Sequence, residues 1–468
     1  MSQFIDEENE QLTVRSKIAY AVGVLSHSVG PGTIVAFWYL FFLTDVAHLN
    51  PALAGVTIII GGIWDAINDP LIGWLSDRTR TRWGRRRPYL LFGAVPYGVT
   101  FALMWWVPPI EGQVLLSLYF AMIYILFDTA VTFVSCPYDA LVPELTLDYD
   151  ERTTITTYRA FFSILTGLLA AVGFGLVLDS VSSIRFAFLG MGTTLGIIFV
   201  PTILIAFFGT RERKSFQKKP AASFRESIKS VLNNRPWRYS LGMHILSWVP
   251  VNIASAVFVY FLVYWIDMSP GRASMVQGVI LGSSALSLPL ILALGRYWEK
   301  RTAYMASITS WLMVMLGILL VPQGAKPMAY VIAILVGPGI AAAHALPRAM
   351  SADTLDVDQI QSGLRQEGIY AGIEVFARKI STKVVLATVG PILALSGYVR
   401  NAATQSPSAL LAIRLLIAVV PAVILFMGVI LAWKYPLNRE THREVQLQLE
   451  NRGLLSRKRA GQPKEIEE

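Results

Sequence analysis

The chain has 468 residues, 54% of them hydrophobic and only 15% charged, with a mean hydropathy of +0.52. That balance excludes an ordinary soluble protein and points to a polytopic helical membrane protein. The net charge of +9 does not indicate nucleic acid, because the basic residues fall in short loops, and the single Cys136 allows neither an internal disulfide nor a cysteine–histidine metal cluster.

The first sixteen residues are polar and acidic and contain no apolar core, so no cleavable signal peptide is expected. Apolar segments follow at about 18–44, 51–75, 88–107, 112–136, 159–180 and 184–209. After a polar stretch come about 238–266, 273–295, 302–322, 327–347, 369–397 and 407–434. Each is long enough to cross a bilayer, which makes the expected fold an all-α membrane protein with twelve transmembrane helices. Alternate connections hold the basic residues of 78–87, 211–229 and 296–301, whereas the others hold little beyond Arg185, Arg272, Lys326 and Arg400. The positive-inside rule then places the basic loops and both termini on the cytoplasmic side of the inner membrane. The tail after Pro436 reads as polar and disordered.

The polar stretch after the sixth span divides the chain into a first bundle (1–209), a cytoplasmic linker (210–236), a second bundle (237–434) and a tail (435–468). Short internal matches support two related halves. Thr146-Leu-Asp-Tyr-Asp150 follows the fourth span and Thr354-Leu-Asp-Val-Asp358 the tenth, while Gly73 to Arg78 and Gly295 to Lys300 leave the second and eighth. Two parallel six-helix pseudo-repeats are the plan of the major facilitator fold.

The second span contains Asp65, Asn68 and Asp69, which share one helical face. Acids inside a membrane face a cavity, a partner or an ion path, and two adjacent acids raise each other's cost unless a cation joins them. The residues themselves leave two readings open: a coupling-ion site, or a structural pair satisfied by a basic residue of a neighbouring helix. The equivalent positions of the second half are Ser287 and Ile291, so the pair is not a requirement of the repeat.

Asp128 shares a helix face with Thr132 and Ser135, where it serves the substrate, a proton, or a basic partner such as Lys379. Glu374 and Arg378 are spaced to pair with each other. His27 and His344 read as hydrogen-bonded structural histidines. Gly30-Pro-Gly32 is expected to loosen the first span, and Trp105 and Trp106 to belong to an interfacial belt. The arginines of 78–87 are expected to fix topology and to clasp helix ends on the cytoplasmic side, with binding of anionic lipid headgroups a further role. Neither a Walker nor a Rossmann glycine pattern is present, so an ion gradient is the expected energy source.

Several stretches together carry a resemblance. Asp65-Ala-Ile-Asn-Asp-Pro70, Ser76 to Pro88, Pro137-Tyr-Asp-Ala-Leu-Val-Pro-Glu-Leu145, Thr157-Tyr-Arg159, and Gly368 to Gly372 leading to Lys379 occur in order through both halves. They resemble the glycoside–pentoside–hexuronide:cation symporter family (melibiose permease-like) of the major facilitator superfamily. The resemblance implies symport of a sugar, glycoside or hexuronide with Na⁺ or H⁺, by a protein that works as a monomer, needs no cofactor and is not an enzyme. It implies a cation site of Asp65, Asn68, Asp69 and Thr132, with Asp65 and Asp69 holding Na⁺ if sodium is the ion. It also implies a substrate site that includes Arg159 and Lys379. The family's two galactoside-binding acids align with Ser28 and Ser135, and its stacking tryptophan with Asp139, departures that speak against galactosides. Asp128 is placed with the substrate residues from its helix face. The implied partners are a small-molecule substrate and membrane lipids. One vertebrate branch moves lysophospholipids, so an amphiphile is the alternative cargo. An enzyme with Asp65 and Asp69 as an acid–base dyad is the rival of another class.

Overall fold

A computed structural model describes residues 12–451, apart from 146–148, 213–230, 232, 363–366, 401 and 403. Twelve long helices carry the chain: α1 (Val14–Val46), α2 (Pro51–Arg78), α3 (Arg87–Met104), α4 (Gln113–Asp139), α5 (Tyr149–Ser180) and α6 (Ile184–Gly209), then α7 (Arg235–Trp265), α8 (Pro270–Tyr297), α9 (Lys300–Leu320), α10 (Lys326–Ser362), α11 (Glu367–Leu395) and α12 (Pro407–Trp433). Ten of them are long and apolar enough to cross a membrane. The other two are α3, which opens on Arg87 and Pro88, and α11, which carries Glu374, Arg378 and Lys379. Most of the linker expected at 210–236 lies outside the described residues, as does part of the first repeated Thr-Leu-Asp motif.

Helix starts are written into the sequence. Asn50, Asn234, Ser269 and Ser406 accept from the backbone N–H groups of Ala52, Trp237, Arg272 and Ala409, and each helix has a proline in its first turn. An oxygen-bearing cap satisfies an orphan donor, and proline costs nothing where no N–H is needed. Helix α1 widens to π turns over Ser28–Val35, around Pro31, where Thr33 Oγ1 donates to the Ser28 carbonyl at 3.1 Å. The loosening expected at Gly30-Pro-Gly32 is therefore present.

The first six helices meet the last six at the end away from the basic loops. There α2 crosses α11 so closely that a Cβ at Gly390 would lie 2.5 Å from the Pro51 carbonyl oxygen. Ser274 Oγ on α8 donates to the Ala171 carbonyl of α5 at 2.6 Å, and Gln277 joins Trp38 Nε1 (2.8 Å) to the Thr33 carbonyl (3.1 Å). Asp45, at the end of α1 and 2% exposed, completes this seam. Its carboxylate accepts from Tyr398 OH at 2.6 Å and from Tyr264 OH, and Thr44 Oγ1 lies 2.6 Å from it and 2.7 Å from Tyr260 OH. All three tyrosines belong to the second half.

At the basic-loop end the described ion pairs stay within each half. Glu212 accepts from the backbone N–H groups of Arg85, Arg86 and Arg87 at 2.6, 2.7 and 2.8 Å, and Arg87 donates to the Phe207 carbonyl at 2.8 and 3.1 Å. Gly84 permits this turn, with φ at +107° and Glu212 where a side chain would stand. The arginine cluster thus clasps helices of one half.

Three expectations need correction. The tail is helical over α13 (Arg439–Asn451): Asn438 caps it, and His442 Nε2 lies 3.0 Å from Asp356 Oδ2 on α10. Its polar sequence is held by contacts to charged helix ends, which hydropathy does not register. Trp105 is fully buried and stacks with Phe188 at 5.5 Å between ring centroids, because aromatic neighbours from α1 and α6 enclose it, whereas Trp106 is 40% exposed. His27 is not hydrogen-bonded through Nδ1, which is buried without a partner.

Candidate cation and substrate site

Helix α2 presents Asp65, Asn68 and Asp69 to α4 and α11. The approach of α2 to α4 depends on Gly61, since a Cβ there would fall 1.8 Å from the Tyr124 ring, and Trp64 Nε1 secures it by donating to Thr129 Oγ1 at 2.7 Å. Asp65 and Asn68 are buried, with Asp69 more open. Thr132 Oγ1 donates to Asp69 Oδ1 at 2.9 Å, and Asn68 Nδ2 lies 3.4 Å from the Asp128 carbonyl oxygen. The expected four cation residues therefore sit together, although Asn68 turns its amide nitrogen toward α4.

Lys379 of α11 reaches across the boundary between the halves. Its Nζ is 3.1 Å from Asp65 Oδ1 and also bonds Asp69 Oδ2. This is the basic partner that the second reading of the acid pair foresaw, and it takes the ammonium away from Asp128. Two carboxylates and one ammonium sum to a charge of −1, so one further cation neutralises the group. The ligand types are hard oxygens, suited to Na⁺ or a proton. Among the described residues no group of three or more histidine, cysteine or acidic side chains is gathered to hold a metal ion.

The expected substrate residues are more dispersed. Arg159 Nη2 pairs with Asp139 Oδ1 at 2.5 Å and lies 5.3 Å over the Tyr138 ring. Tyr138 is itself fixed by stacking on Tyr20 at 4.4 Å and by donating to the Tyr20 carbonyl at 2.6 Å. Ser28 Oγ is 3.5 Å from Thr166 Oγ1, and Asp128 and Ser135 are buried in α4. The pair expected between Glu374 and Arg378 does not form: Glu374 accepts from Ser351 Oγ of α10, and Arg378 lies over Trp248 of α7. Tertiary partners on neighbouring helices compete with the i, i+4 neighbour. The sequence reading missed Asp45 and its tyrosines, because an acid at a span end is ordinary, and missed Arg348, which lies just past the boundary assigned to the tenth span.

The MFS/sugar transport protein family matches residues 19–439. The chain belongs to that family. The transporter is 31% identical to the putative glycoside/cation symporter YagG of Escherichia coli, with 89% of this chain and 90% of that protein covered. It is 26% identical to a sodium-dependent lysophosphatidylcholine symporter of Danio rerio, covering 95% of this chain and 90% of that one. Its fold is shared with a bacterial homologue of the lysosomal transporter Spinster in an inward-facing, unoccupied conformation, at a TM-score of 0.66 and 11% identity, covering 92% and 97% of the two chains. The protein is thus a multi-pass membrane transporter of the symporter kind with the twelve-helix major facilitator fold, not an enzyme, and its substrate is a small molecule.

Proposed function

We propose that the transporter carries a sugar, glycoside or hexuronide into the cell together with Na⁺ or H⁺, by alternating access across the inner membrane. The observation that carries this reading is the ammonium of Lys379 seated between Asp65 and Asp69. Lys379 serves as the internal counter-ion of an otherwise doubly negative buried pair. An arriving cation joins it at the carboxylates and brings the group to neutrality, with Asn68 and Thr132 assisting, and loosens Lys379 so that it also faces substrate alongside Arg159. A carboxylate left uncompensated in the membrane costs about 2.5–3.5 kcal/mol or more, so the empty pair resists closure while the cation-loaded one does not. Ser28, Asp128 and Ser135 belong to the same substrate path.

The basic loops and both termini face the cytoplasm on this reading, and 1–209 and 237–434 move as the two rocking halves. The seam at the opposite end then closes the outside. A second reading, transport of an amphiphile such as a lysophospholipid, is favoured by the likeness to the lysophosphatidylcholine symporter.

Uptake into vesicles tests both readings, using a panel of glycosides, hexuronides and lysolipids with a sodium gradient, a proton gradient or neither. Accumulation of a sugar only under one imposed gradient, lost in Asp65→Asn, is the expected result. Uptake of lysolipid alone would replace the sugar reading with the second one, and gradient-independent uptake throughout would sink the coupling.

A further inference from the structure

The second-half wall carries two arginines that the site described so far does not use. Arg348 comes from α10 and Arg378 from α11, one residue before Lys379. Arg348 is exposed although Leu346 and Met350 beside it are buried, and it lies within electrostatic reach of Glu374 and of Arg159 in the first half. It therefore faces the space between the halves. Arg378 is half-buried, with its guanidinium carbon 5.1 Å from the Trp248 ring centroid. The two arginines are close enough to repel each other.

Two further cations at this level are committed. Lys379 is held by Asp65 and Asp69, and Arg159 by Asp139. Glu374, the acid nearest Arg348, accepts from Ser351, and the acids that reach Arg378 do so from across the space between the halves. Among the described residues neither guanidinium makes an ion pair or a hydrogen bond. Trp248 Nε1 is also a buried donor without a partner. The ring packs on His344 at 4.2 Å, which fixes its face toward Arg378. A buried donor without an acceptor and two like charges within electrostatic range of each other in a membrane are both penalised. The group that relieves both is an oxyanion, which the planar guanidinium fork binds in bidentate fashion.

We propose that Arg348 and Arg378, beside the Trp248 face, form an oxyanion subsite, and that the transported molecule carries a carboxylate or a phosphate. The proposal rests on the transport reading and names the substrate's charge. The carboxylate of a sugar acid and the phosphate of a lysolipid are the two sources of that chemistry, and matched probes separate them.

Binding is measured by calorimetry on the full chain in lipid nanodiscs, with phenyl glucuronide against phenyl glucoside, and lysophosphatidylcholine against the monoacylglycerol of the same acyl chain. We expect one oxyanion-bearing member to bind at least about tenfold more tightly than its counterpart without the oxyanion. That preference should fall below about threefold in Arg348→Gln and in Arg378→Gln, and return in part in Arg378→Lys, which keeps charge but not the fork. Equal binding within both pairs, or an undiminished preference in both glutamine variants, overturns the subsite. If a glutamine variant does not fold, the wild-type comparison and the lysine variant still decide. Gradient-driven uptake of the uncharged glucoside without any anionic preference would leave the transport reading standing and remove the subsite. Loss of gradient dependence for all four probes would instead remove the transport reading.

Discussion

Asp45 and the Asp65–Asp69 pair are buried acids that both reach from the first half of the transporter to the second, yet they are met by different chemistry. Asp45 is held by hydroxyls of Tyr264, Tyr398 and Thr44, at a seam where glycines let helices touch. The central pair is held by one ammonium on a long, flexible side chain. The tyrosine rings around Asp45 pack edge to face, at 5.5 Å between Tyr398 and each of Tyr260 and Tyr264, so its donors cannot leave singly. Lysine can withdraw while its helix stays in place. On the proposed reading the first site is a latch that opens only when the halves part, and the second an exchange site for cations.

Breaking the exchange site should have the largest effect. Asp65→Asn or Asp69→Asn removes a charge-assisted contact worth about 2–3 kcal/mol, so gradient-driven accumulation should fall roughly a hundredfold, to the equilibrium level. Vesicle uptake with and without the gradient checks this, and substrate exchange without a gradient should survive. Next comes the seam itself. Gly390→Ala would push a methyl group to 2.5 Å from the Pro51 carbonyl oxygen. Outer closure should be blocked and uptake reduced about tenfold or more, with a monodisperse, folded protein on size exclusion. Asp45→Asn weakens the latch without adding bulk. An impermeant thiol reagent applied from outside should label Ser28→Cys, in a Cys136→Ser background, about tenfold faster when Asp45→Asn is added. The smallest change is Tyr398→Phe, which deletes one donor to Asp45 at a cost of about 1 kcal/mol and should raise the same labelling rate only about three- to fivefold.

Hydropathy made the helices legible, because lipid-facing and core residues are both apolar and each span must be continuous. It understated helices that run beyond the membrane: α10 extends to Ser362, well past the boundary near 347, since Asp353, Asp356 and Asp358 lower hydropathy without breaking the helix. The acid pair was legible as two charges inside an apolar run. The ammonium that joins them was not, because 310 and 314 residues separate Lys379 from Asp69 and Asp65. Spacing also misassigned Arg378 to Glu374, where tertiary geometry gave each another partner. Asp45 shows the same limit, for its tyrosines come from α7 and from the connection after α11.

Cation binding to the purified transporter tests the exchange site most directly. Intrinsic tryptophan fluorescence, with Trp64 next to Asp65, is titrated with Na⁺ at alkaline pH and with acid in the absence of Na⁺. A saturable response to one of these cations is expected in the wild type and none in the Asp65→Asn, Asp69→Asn double variant. In Lys379→Met, which removes the competing ammonium, half-saturation should move at least about tenfold toward lower cation concentration. An unchanged midpoint in Lys379→Met, or a wild-type response in the double aspartate variant, would contradict the exchange site.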